Sequence, residues 1–352
     1  MKIRIFTVFK SENCGSFLQA WALKEQLSSN ENTVLFCDYV ITENSLHKKI
    51  INAIKCCVKL NFKRANNILE KTKNFRKLQK ELNVTHVEDH ADINFFGSDT
   101  LWNFDDKFFF DNACFFTGGN VKTPCYTYSI SVASTSKEKI LNMNDTINNI
   151  DKFNKIAVRD NHTESLLSEI YPNKEIIRTI DPTLLVDKDL YIKNFSLNDF
   201  SHKKKLVIYH FDAIPDATWN VLKSFAKKKE LEIVNVGMHG DCNADASIVP
   251  TPSNFISAFS NAEYIFTNTF HGCIFSTIFN KQFATDGVHK KKIEGFLDEF
   301  SLNDRVITSA EDIEKVFETP VDYERVNKLV NQKREKSIQY LKDCIQEVSA
   351  NE

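Results

Sequence analysis

His271 is the residue whose type and setting most favour chemistry. It lies in Thr267-Asn-Thr-Phe-His-Gly272, between an apolar strand-like run and a helical pattern, so the sequence places it at the mouth of a predicted helix. The free N–H groups and the dipole of a first helical turn favour an anion. An imidazole there can hand a proton to a phosphate-containing substrate, and Gly272 would let that substrate approach the backbone. The alternative is a histidine that only caps or packs the helix.

Ser98 and Asp99 lie in a second turn of this kind, Phe96-Gly-Ser-Asp-Thr-Leu-Trp-Asn103, which again follows an apolar strand. A hydroxyl and a carboxylate at the carboxyl end of a strand can bind a sugar, or they can cap the next helix. Trp102 fits either a site or the core. A third turn, Asn13-Cys-Gly-Ser16, could bind an anion but lacks the GxGxxG fingerprint and the P-loop lysine.

Arg159, in Val158-Arg159-Asp160, is a candidate fork for a phosphate or a carboxylate. The alternative is a surface ion pair with Asp160. The sequence Asp181-Pro182-Thr183 favours a turn, and we place the boundary between two domains shortly after it.

Composition and charge exclude several classes of protein. At 352 residues the chain is long enough for two domains, and a formal net charge of -2 gives no overall attraction to nucleic acid. Nine scattered cysteines without a CxxC pair indicate reduced thiols, and no Cys/His cluster has zinc-ligand spacing. The N-terminus lacks a signal-peptide pattern, and no apolar run is long enough to cross a bilayer. We therefore predict a cytoplasmic protein that needs no metal.

Strand-like and helix-like patterns alternate along the chain, which predicts an α/β protein with two parallel sheets. The predicted domains are 1–187 and 188–310, both Rossmann-like and facing each other across a cleft. A helical segment follows at 311–352, with one long helix from Tyr323 to Val348. Ligands of open α/β sheets bind outside the carboxyl ends of the strands, so we expect the turns described above to line the cleft.

Residues 48–80 differ in character from the rest of the first domain. They contain eleven lysines and arginines against one acid, Glu70, with apolar residues interleaved. This pattern predicts one or two amphipathic helices. They form either a helical excursion with a solvated basic face or a surface that rests on anionic lipid at the inner face of the plasma membrane.

Taken in order, these turns resemble the motifs of the polysaccharide pyruvyl transferase family. The similarity spans roughly residues 3 to 305 and leaves the C-terminal helix outside the motifs. The similar elements are Asn13-Cys-Gly15 with Leu18-Gln-Ala20, Gly97-Ser-Asp99 with Trp102-Asn103, Tyr126 and Ser129, Val158-Arg159, Asp181-Pro-Thr-Leu-Leu185, Phe270-His-Gly272 with Phe279-Asn-Lys281, and Leu302 with Asp304-Arg305.

Three positions depart from the family pattern. Thr269 stands where many members have an arginine, and Lys292 replaces another arginine, which keeps the charge but loses the bidentate fork. Ser131 stands where the family has a glycine. These departures affect the identity of the donor more than membership of the family.

The resemblance implies an enzyme that transfers a pyruvyl group from phosphoenolpyruvate to a sugar diol of a surface polysaccharide or its lipid-linked precursor. It implies a glycosyltransferase-B-like fold, with the acceptor on the first domain and the donor on the second. No metal or organic cofactor is implied. On this basis His271 is the predicted general acid, and Asp99 a base or a sugar-orienting group. The predicted ligand contacts are Arg159, Gly272, Lys292, Arg305 and Thr269 for the donor and Asn13, Ser98 and Trp102 for the acceptor.

Two other functions are compatible with the sequence. One is a nucleotide-sugar glycosyltransferase of the same architecture, although the sequence has no firm signature for the ribose or the base. The other is a non-catalytic scaffold for glycan assembly, which Thr269 and Ser131 would favour.

Overall fold

Two parallel β-sheets, each covered by helices, organise the chain. The computed structural model describes residues 1–39, 46–119, 121–196, 203–237, 243–287 and 290–350. Within these ranges the first sheet contains β1 (Lys2–Phe6), β2 (Thr33–Cys37), β3 (Val84–Thr85), β4 (Ile93–Asp99), β5 (Cys125–Ile130), β6 (Ile156–Val158) and β7 (Ile176–Arg178). The second contains β8 (Lys205–Tyr209), β9 (Glu232–Val236), β10 (Ala246–Ile248), β11 (Tyr264–Thr267) and β12 (Gln282–Thr285).

The strand orders explain where ligands can bind. The described strands run β3-β2-β1-β4-β5-β6-β7 in the first sheet and β10-β9-β8-β11-β12 in the second, and every pairing is parallel. Because the strand order reverses between β1 and β4, and again between β8 and β11, each sheet has a crevice at the carboxyl ends of these strands. Helices cover both faces, so central strands such as β5 and β8 are buried along their whole length.

Helices lie between most of the successive strands, as the crossover connections of parallel sheets require. In the first domain the described helices are α1 (Cys14–Leu27), α2 (Leu46–Val58), α3 (Phe62–Lys80), α4 (Lys107–Asp111), α5 (Ala113–Phe116), α6 (Lys137–Leu141), α7 (Asn144–Asp151) and α8 (Asn161–Ile170). They are followed by α9 (Lys188–Phe195), α10 (Asp216–Lys228), α11 (Pro252–Ser260), α12 (Phe270–Ile278), α13 (Lys291–Glu299), α14 (Asp312–Glu318) and α15 (Tyr323–Ser349). The basic segment therefore forms two helices, α2 and α3.

An apolar core continues from one domain into the other and holds the two sheets in their relative orientation. Trp21 of α1 packs edge-on against Phe195 of α9, with 4.9 Å between ring centroids, and against Tyr191 at 5.3 Å. Tyr191 in turn contacts Phe275 of α12 at 5.2 Å. All four rings are buried or nearly so, which makes this contact part of the folding core and not a loose hinge.

The last helix, α15, returns to the first domain. The hydroxyl of Tyr340 donates to the carbonyl of Thr127 at 2.8 Å, and the backbone N–H of Ile180 donates to the hydroxyl of Ser337 at 3.1 Å. Both bonds are buried. Among the described helices, none combines the length and the hydropathy that crossing a bilayer requires.

Replacing Ser337 by alanine is expected to destabilise the protein by about 1–3 kcal/mol, because the buried N–H of Ile180 would lose its acceptor. Urea unfolding followed by circular dichroism measures the change. Lys336→Ala, on the exposed face of the same helix, is the matched control and should leave the midpoint unchanged. Equal midpoints for the two variants would show that this contact does not hold α15 on the first domain.

Candidate functional site

A cleft of about 590 Å³ lies where the carboxyl edges of the two sheets face each other. Both domains and several loops contribute to its walls. The lining residues are Asn13, Ser16, Asp99, Ala133, Ser134, Tyr209, Phe211, Asn268, Thr269, Phe270, His271, Lys290, Lys291, Lys292 and Ile293. The turns after β1 and β4 thus meet the turns after β8 and β11, as the sequence predicted for the edges of open α/β sheets.

His271 lies in the first turn of α12 and presses against the first domain. A Cβ atom on Gly15 of α1 would lie only 2.1 Å from Nδ1 of the imidazole, so only glycine leaves room for the ring. Nε2 is buried without a hydrogen bond and lies 3.8 Å from a carboxylate oxygen of Asp181. Burial lowers the pKa of His271 below its ordinary value, although Asp181 and Asp99 oppose the shift. The imidazole is therefore held mainly neutral at pH 7.

Arg159 follows β6 and lies almost fully buried beside His271. Its Nη1 donates to Asp181 at 3.0 Å, while Nη2 is buried without a hydrogen bond and lies 3.8 Å from Asp99. The guanidinium also lies over the ring of Phe270, 4.6 Å from its centroid. Asp160 instead caps α8 through Thr163, so the alternative of a surface ion pair between Arg159 and Asp160 is wrong. One guanidinium edge remains available for an acceptor group.

Asp99, the last residue of β4, carries the negative charge of the cleft. The hydroxyl of Ser16 donates to its Oδ2 at 3.2 Å and the backbone N–H of Thr100 to its Oδ1 at 2.8 Å. Burial by itself would raise the pKa of Asp99, but Lys292, Arg159 and His271 lower it to about 2. The carboxylate is therefore ionised and only weakly basic.

Lys292, in the first turn of α13, is the cation of the second domain that faces this cluster. Burial and the nearby charge of Arg159 lower its pKa to about 8, so the ammonium form still predominates at pH 7. Lys290 donates to Asp212 at 3.0 Å and to the carbonyl of Asn268 at 3.1 Å. From the sequence we named only Lys292. The run Lys290-Lys291-Lys292, which starts five residues after the end of β12, is the sequence signal for the other two.

Three predicted ligand contacts have structural roles instead. Ser98 is fully buried and donates to Gln19 at 2.6 Å. Trp102 is fully buried in the core, where its indole N–H donates to the carbonyl of Phe116 at 3.0 Å. Arg305 is also fully buried, and it donates to the carbonyls of Val316 and Thr319 at the end of α14, each at 2.9 Å. None of these three side chains lines the cleft.

Gly272 is a fourth predicted ligand contact that has a structural role instead. Its N–H donates to the hydroxyl of Thr269 at 2.9 Å, and a Cβ atom on it would meet Thr267 at 2.1 Å. Thr269 is thus the N-cap of α12, and the N–H that we expected to bind an anion already has a partner. Asn13 caps α1 in the same way, accepting from the N–H groups of Gly15 and Ser16, yet both caps also line the cleft. Three lysine side chains, Lys290, Lys291 and Lys292, bring positive charge to the cleft.

Asp181 and Gly15 are two further residues of the site that sequence reasoning missed. We interpreted Asp181 as part of a boundary turn, but its buried carboxylate accepts from Arg159, from the backbone N–H of Thr183 and from the hydroxyl of Thr183, and it faces His271. Its place in the Asp-Pro-Thr motif was the available signal. In the part of the chain that the structure describes, no group of three or more His, Cys, Asp or Glu side chains could hold a metal ion.

The fold is shared with sugar-nucleotide enzymes. A UDP-GlcNAc 2-epimerase from Neisseria meningitidis superposes with a TM-score of 0.54 and 14% identity, covering 99% of this chain and 100% of its own. The N-terminal domain of trehalose-6-phosphate phosphatase from Candida albicans gives 0.51 and 9%, covering 98% and 96%. The UDP-GlcNAc 2-epimerase from Methanocaldococcus jannaschii gives 0.50 and 10%, covering 92% and 94%. At these identities the similarity concerns the fold, and it confirms the predicted glycosyltransferase-B-like class.

Comparison at the level of sequence identifies the family. No curated protein sequence matches the chain significantly. The family model described as polysaccharide pyruvyl transferase, however, matches residues 13–285, well over half of the chain. The matched range includes Asn13, Asp99 and His271, which line the cleft, and Arg159 and Asp181, which lie against Asp99 and His271. The chain therefore belongs to the polysaccharide pyruvyl transferase family.

Proposed function

We propose that this protein transfers a pyruvyl group from phosphoenolpyruvate to two hydroxyls of a sugar, forming a cyclic ketal on a surface polysaccharide or its lipid-linked precursor. One observation carries the proposal: Arg159 and His271 each have a buried nitrogen without a hydrogen-bond partner, His271 and Lys292 line the cleft, and Arg159 shares a smaller cavity with Lys292 beside it. Buried polar atoms without a partner are uncommon, and a bound ligand is one of the groups that can complete them. A small, multiply charged anion with several acceptor oxygens supplies what they lack.

Phosphoenolpyruvate has this chemistry, because it carries a carboxylate and a phosphate on a three-carbon enol. The free Nη2 of Arg159 would donate to one anionic group, and Lys292 would neutralise the other. Lys290 and Lys291 extend the positive charge along the same wall of the cleft. Because residue 269 is a threonine, the site lacks the arginine that many family members have at this position. Lys290, whose ammonium contacts the carbonyl of Asn268, places a cation beside that position.

The reaction adds one proton to the enol carbon and one to the leaving phosphate, and it removes one from each of the two sugar hydroxyls. Protonation of the methylene carbon of the enol makes C2 cationic, and a sugar hydroxyl attacks C2 while losing its proton. Phosphate then leaves with its bonding electrons, and a second hydroxyl attacks C2 and loses its proton to close the ketal. The products are the pyruvylated sugar and inorganic phosphate, so a general acid, an acceptor for hydroxyl protons and fixed cations are sufficient.

We assign the general acid to His271. Its pKa is lowered in the structure, which alone would leave little imidazolium at pH 7. A bound trianion would raise that pKa again, since opposite charges stabilise the protonated ring. The donor would thus bring about the protonation state that its own reaction needs.

Asp99 is better suited to orienting a sugar hydroxyl than to removing its proton. A carboxylate with a pKa of about 2 is a weak base, although it remains a strong hydrogen-bond acceptor. Two aromatic side chains of the cleft, Phe211, which is 62% exposed, and the partly buried Phe270, offer surfaces against which a sugar ring can pack. We place the acceptor between these rings and Asp99, and we place the reaction in the cytoplasm.

The direct test combines two measurements. Thermal shifts with phosphoenolpyruvate and with UDP- or GDP-sugars distinguish pyruvyl transfer from nucleotide-sugar glycosyl transfer. Incubation with phosphoenolpyruvate and glycan precursors of the source organism should release phosphate and add one ketal-linked pyruvyl group, seen by mass spectrometry. Stabilisation by nucleotide sugars alone would favour the glycosyltransferase, and no donor binding combined with capture of glycan-assembly enzymes would favour the scaffold.

Replacing His271 by glutamine should lower phosphate release in the presence of acceptor roughly 100- to 10,000-fold, because the amide keeps much of the ring's volume but cannot deliver a proton. Binding of phosphoenolpyruvate, measured by calorimetry, should change much less. Near-normal turnover in this variant would remove His271 from the chemistry.

The titration of His271 can be followed without knowing the acceptor. In protein labelled with ¹³C at histidine Cε1, the signal that disappears in His271→Gln should titrate with a pKa below 6.5, because burial disfavours the imidazolium. Saturating phosphoenolpyruvate should move that pKa upward. A pKa that is insensitive to the donor would contradict the proposed proximity of the imidazole to a bound anion.

Gly15→Ala should lower turnover about 100-fold, because a methyl group 2.1 Å from Nδ1 must displace His271 from its position. Alanine is itself a better helix former than glycine, so the helix should not be weakened. Gly295→Ala is the matched control, since a Cβ atom there meets nothing within 4 Å. Equal activity of the two variants would show that the contact between Gly15 and His271 does not position the ring.

A further inference from the structure

The helices α2 and α3 form an antiparallel hairpin whose tip carries exposed apolar side chains. Of the twelve large apolar side chains that the described residues expose, seven lie between residues 50 and 69. The most exposed are Val58, Leu60 and Phe62 at the turn, with 79%, 78% and 62% of their surface accessible. Single exposed apolar residues scattered over a surface need no explanation, but a cluster of them at one end of a helical hairpin does.

Basic side chains lie along the whole hairpin, and four of them, Lys55, Lys59, Lys63 and Arg64, are within five residues of Leu60 at the tip. Nine of the eleven lysines and arginines in residues 48–80 are exposed, against the single acid Glu70. The exposed cations are Lys48, Lys55, Lys59, Lys63, Arg64, Lys73, Arg76, Lys77 and Lys80. The chain as a whole has a net charge of -2, so this positive charge is local to the hairpin.

The turn between α2 and α3 has a leucine at a position where the backbone conformation favours glycine or asparagine. Leu60 has a φ of 56° and occupies the left-handed position at which helices commonly end with glycine or asparagine. The N–H of Asn61 donates to the carbonyl of Cys56 and that of Leu60 to Cys57, each at 2.9 Å, which completes a Schellman motif. Leucine gains nothing here from burial, so folding does not explain its presence.

The base of the hairpin is attached directly to the cleft. Glu12 accepts from the hydroxyl of Thr72 at 3.3 Å and forms an ion pair with Lys49. Phe75 of α3 packs edge-on against Phe17 of α1, with 6.0 Å between centroids. Glu12 directly precedes Asn13, which lines the cleft, so the hairpin projects from the acceptor side of the site.

We propose that the hairpin of residues 46–80 docks on an anionic lipid surface, with Val58, Leu60 and Phe62 entering the headgroup region. Positive charge around a convex apolar tip complements a negatively charged fluid surface, which needs no matching groove. A protein partner would need a concave apolar pocket lined with acids for the same fit. The hairpin would hold the cleft near the membrane, and, resting on the proposed function, would favour a lipid-linked acceptor over a free sugar.

Vesicle flotation with the full chain tests the docking. We expect binding to vesicles of phosphatidylcholine with 30% phosphatidylglycerol at about physiological salt, little binding to phosphatidylcholine alone, and release at high salt. Lys55→Gln combined with Lys59→Gln and Lys63→Gln should weaken binding about tenfold or more. Lys328→Gln with Lys336→Gln and Lys342→Gln, which remove the same charge from the exposed face of α15, should not.

The apolar tip is tested separately by Leu60→Asn with Val58→Thr. Asparagine suits the left-handed turn, so the midpoint of unfolding should hold or rise while lipid binding weakens about tenfold. Leu141→Asn with Ile192→Thr, at two other exposed apolar positions, is the matched control and should bind normally. Equal binding to neutral and anionic vesicles would overturn the proposal, and so would unchanged lipid binding by both hairpin variants. It would also be overturned if light scattering showed that the protein self-associates and that Leu60→Asn abolishes this self-association.

The vesicle result does not depend on pyruvyl transfer. If the proposed function is also correct, the hairpin variants should lower turnover of a lipid-linked acceptor in anionic vesicles and leave turnover of a water-soluble acceptor unchanged. Docking without pyruvyl transfer would refute the function alone. Transfer with no docking would refute the hairpin proposal alone.

Discussion

Arg159 and Asp181 form a buried ion pair on which the geometry of the cleft depends. The carboxylate accepts from the guanidinium at 3.0 Å and from both polar groups of Thr183, and it faces His271 of the second domain. Phe270 covers the guanidinium from the same side. Removing one member of such a pair leaves an uncompensated buried charge and costs about 3–5 kcal/mol. The pair belongs to the folded first domain, and His271 of the second domain lies against it, which ties the position of the histidine to the fold of the first domain.

The positive and negative charges of the cluster offset each other, but not every polar atom in it has a hydrogen-bond partner. Asp99 and Asp181 offset Arg159 and Lys292, so burying the group costs less than burying any member alone. Yet Asp181 takes one edge of Arg159, and the other edge lies 3.8 Å from Asp99, too far for a hydrogen bond. A fully satisfied network would be more stable and chemically inert. The unpartnered nitrogens of Arg159 and His271 lie close together, and the ligand site that we propose depends on this observation.

The sequence predicted the fold well because its main signals are local. The runs that became β1, β4, β5, β8 and β11 are apolar and bounded by turns, and α15 was recognised within a residue of its true end. The site was harder because its contacts are distant in sequence. Arg159 pairs with Asp181 and not with its neighbour Asp160, while the carbonyls that hold Arg305 and Trp102 become partners only after α14 and α5 have folded. Gly272 is a different case, because Thr269 three residues earlier fits the rule for N-caps.

The contact between His271 and Gly15 explains why the site needs two domains. Each domain has a Rossmann-like sheet of its own, and one helix of each that reaches the cleft is capped by a side chain, Asn13 for α1 and Thr269 for α12. The first domain supplies the carboxylates and the guanidinium, and the second supplies the imidazole and the lysines. Because the pKa of Asp99 is lowered by groups of both domains, and that of His271 by burial against the first, the electrostatic properties of the cluster exist only while the domains are in contact. The chemistry that we propose therefore requires the interface between the two domains.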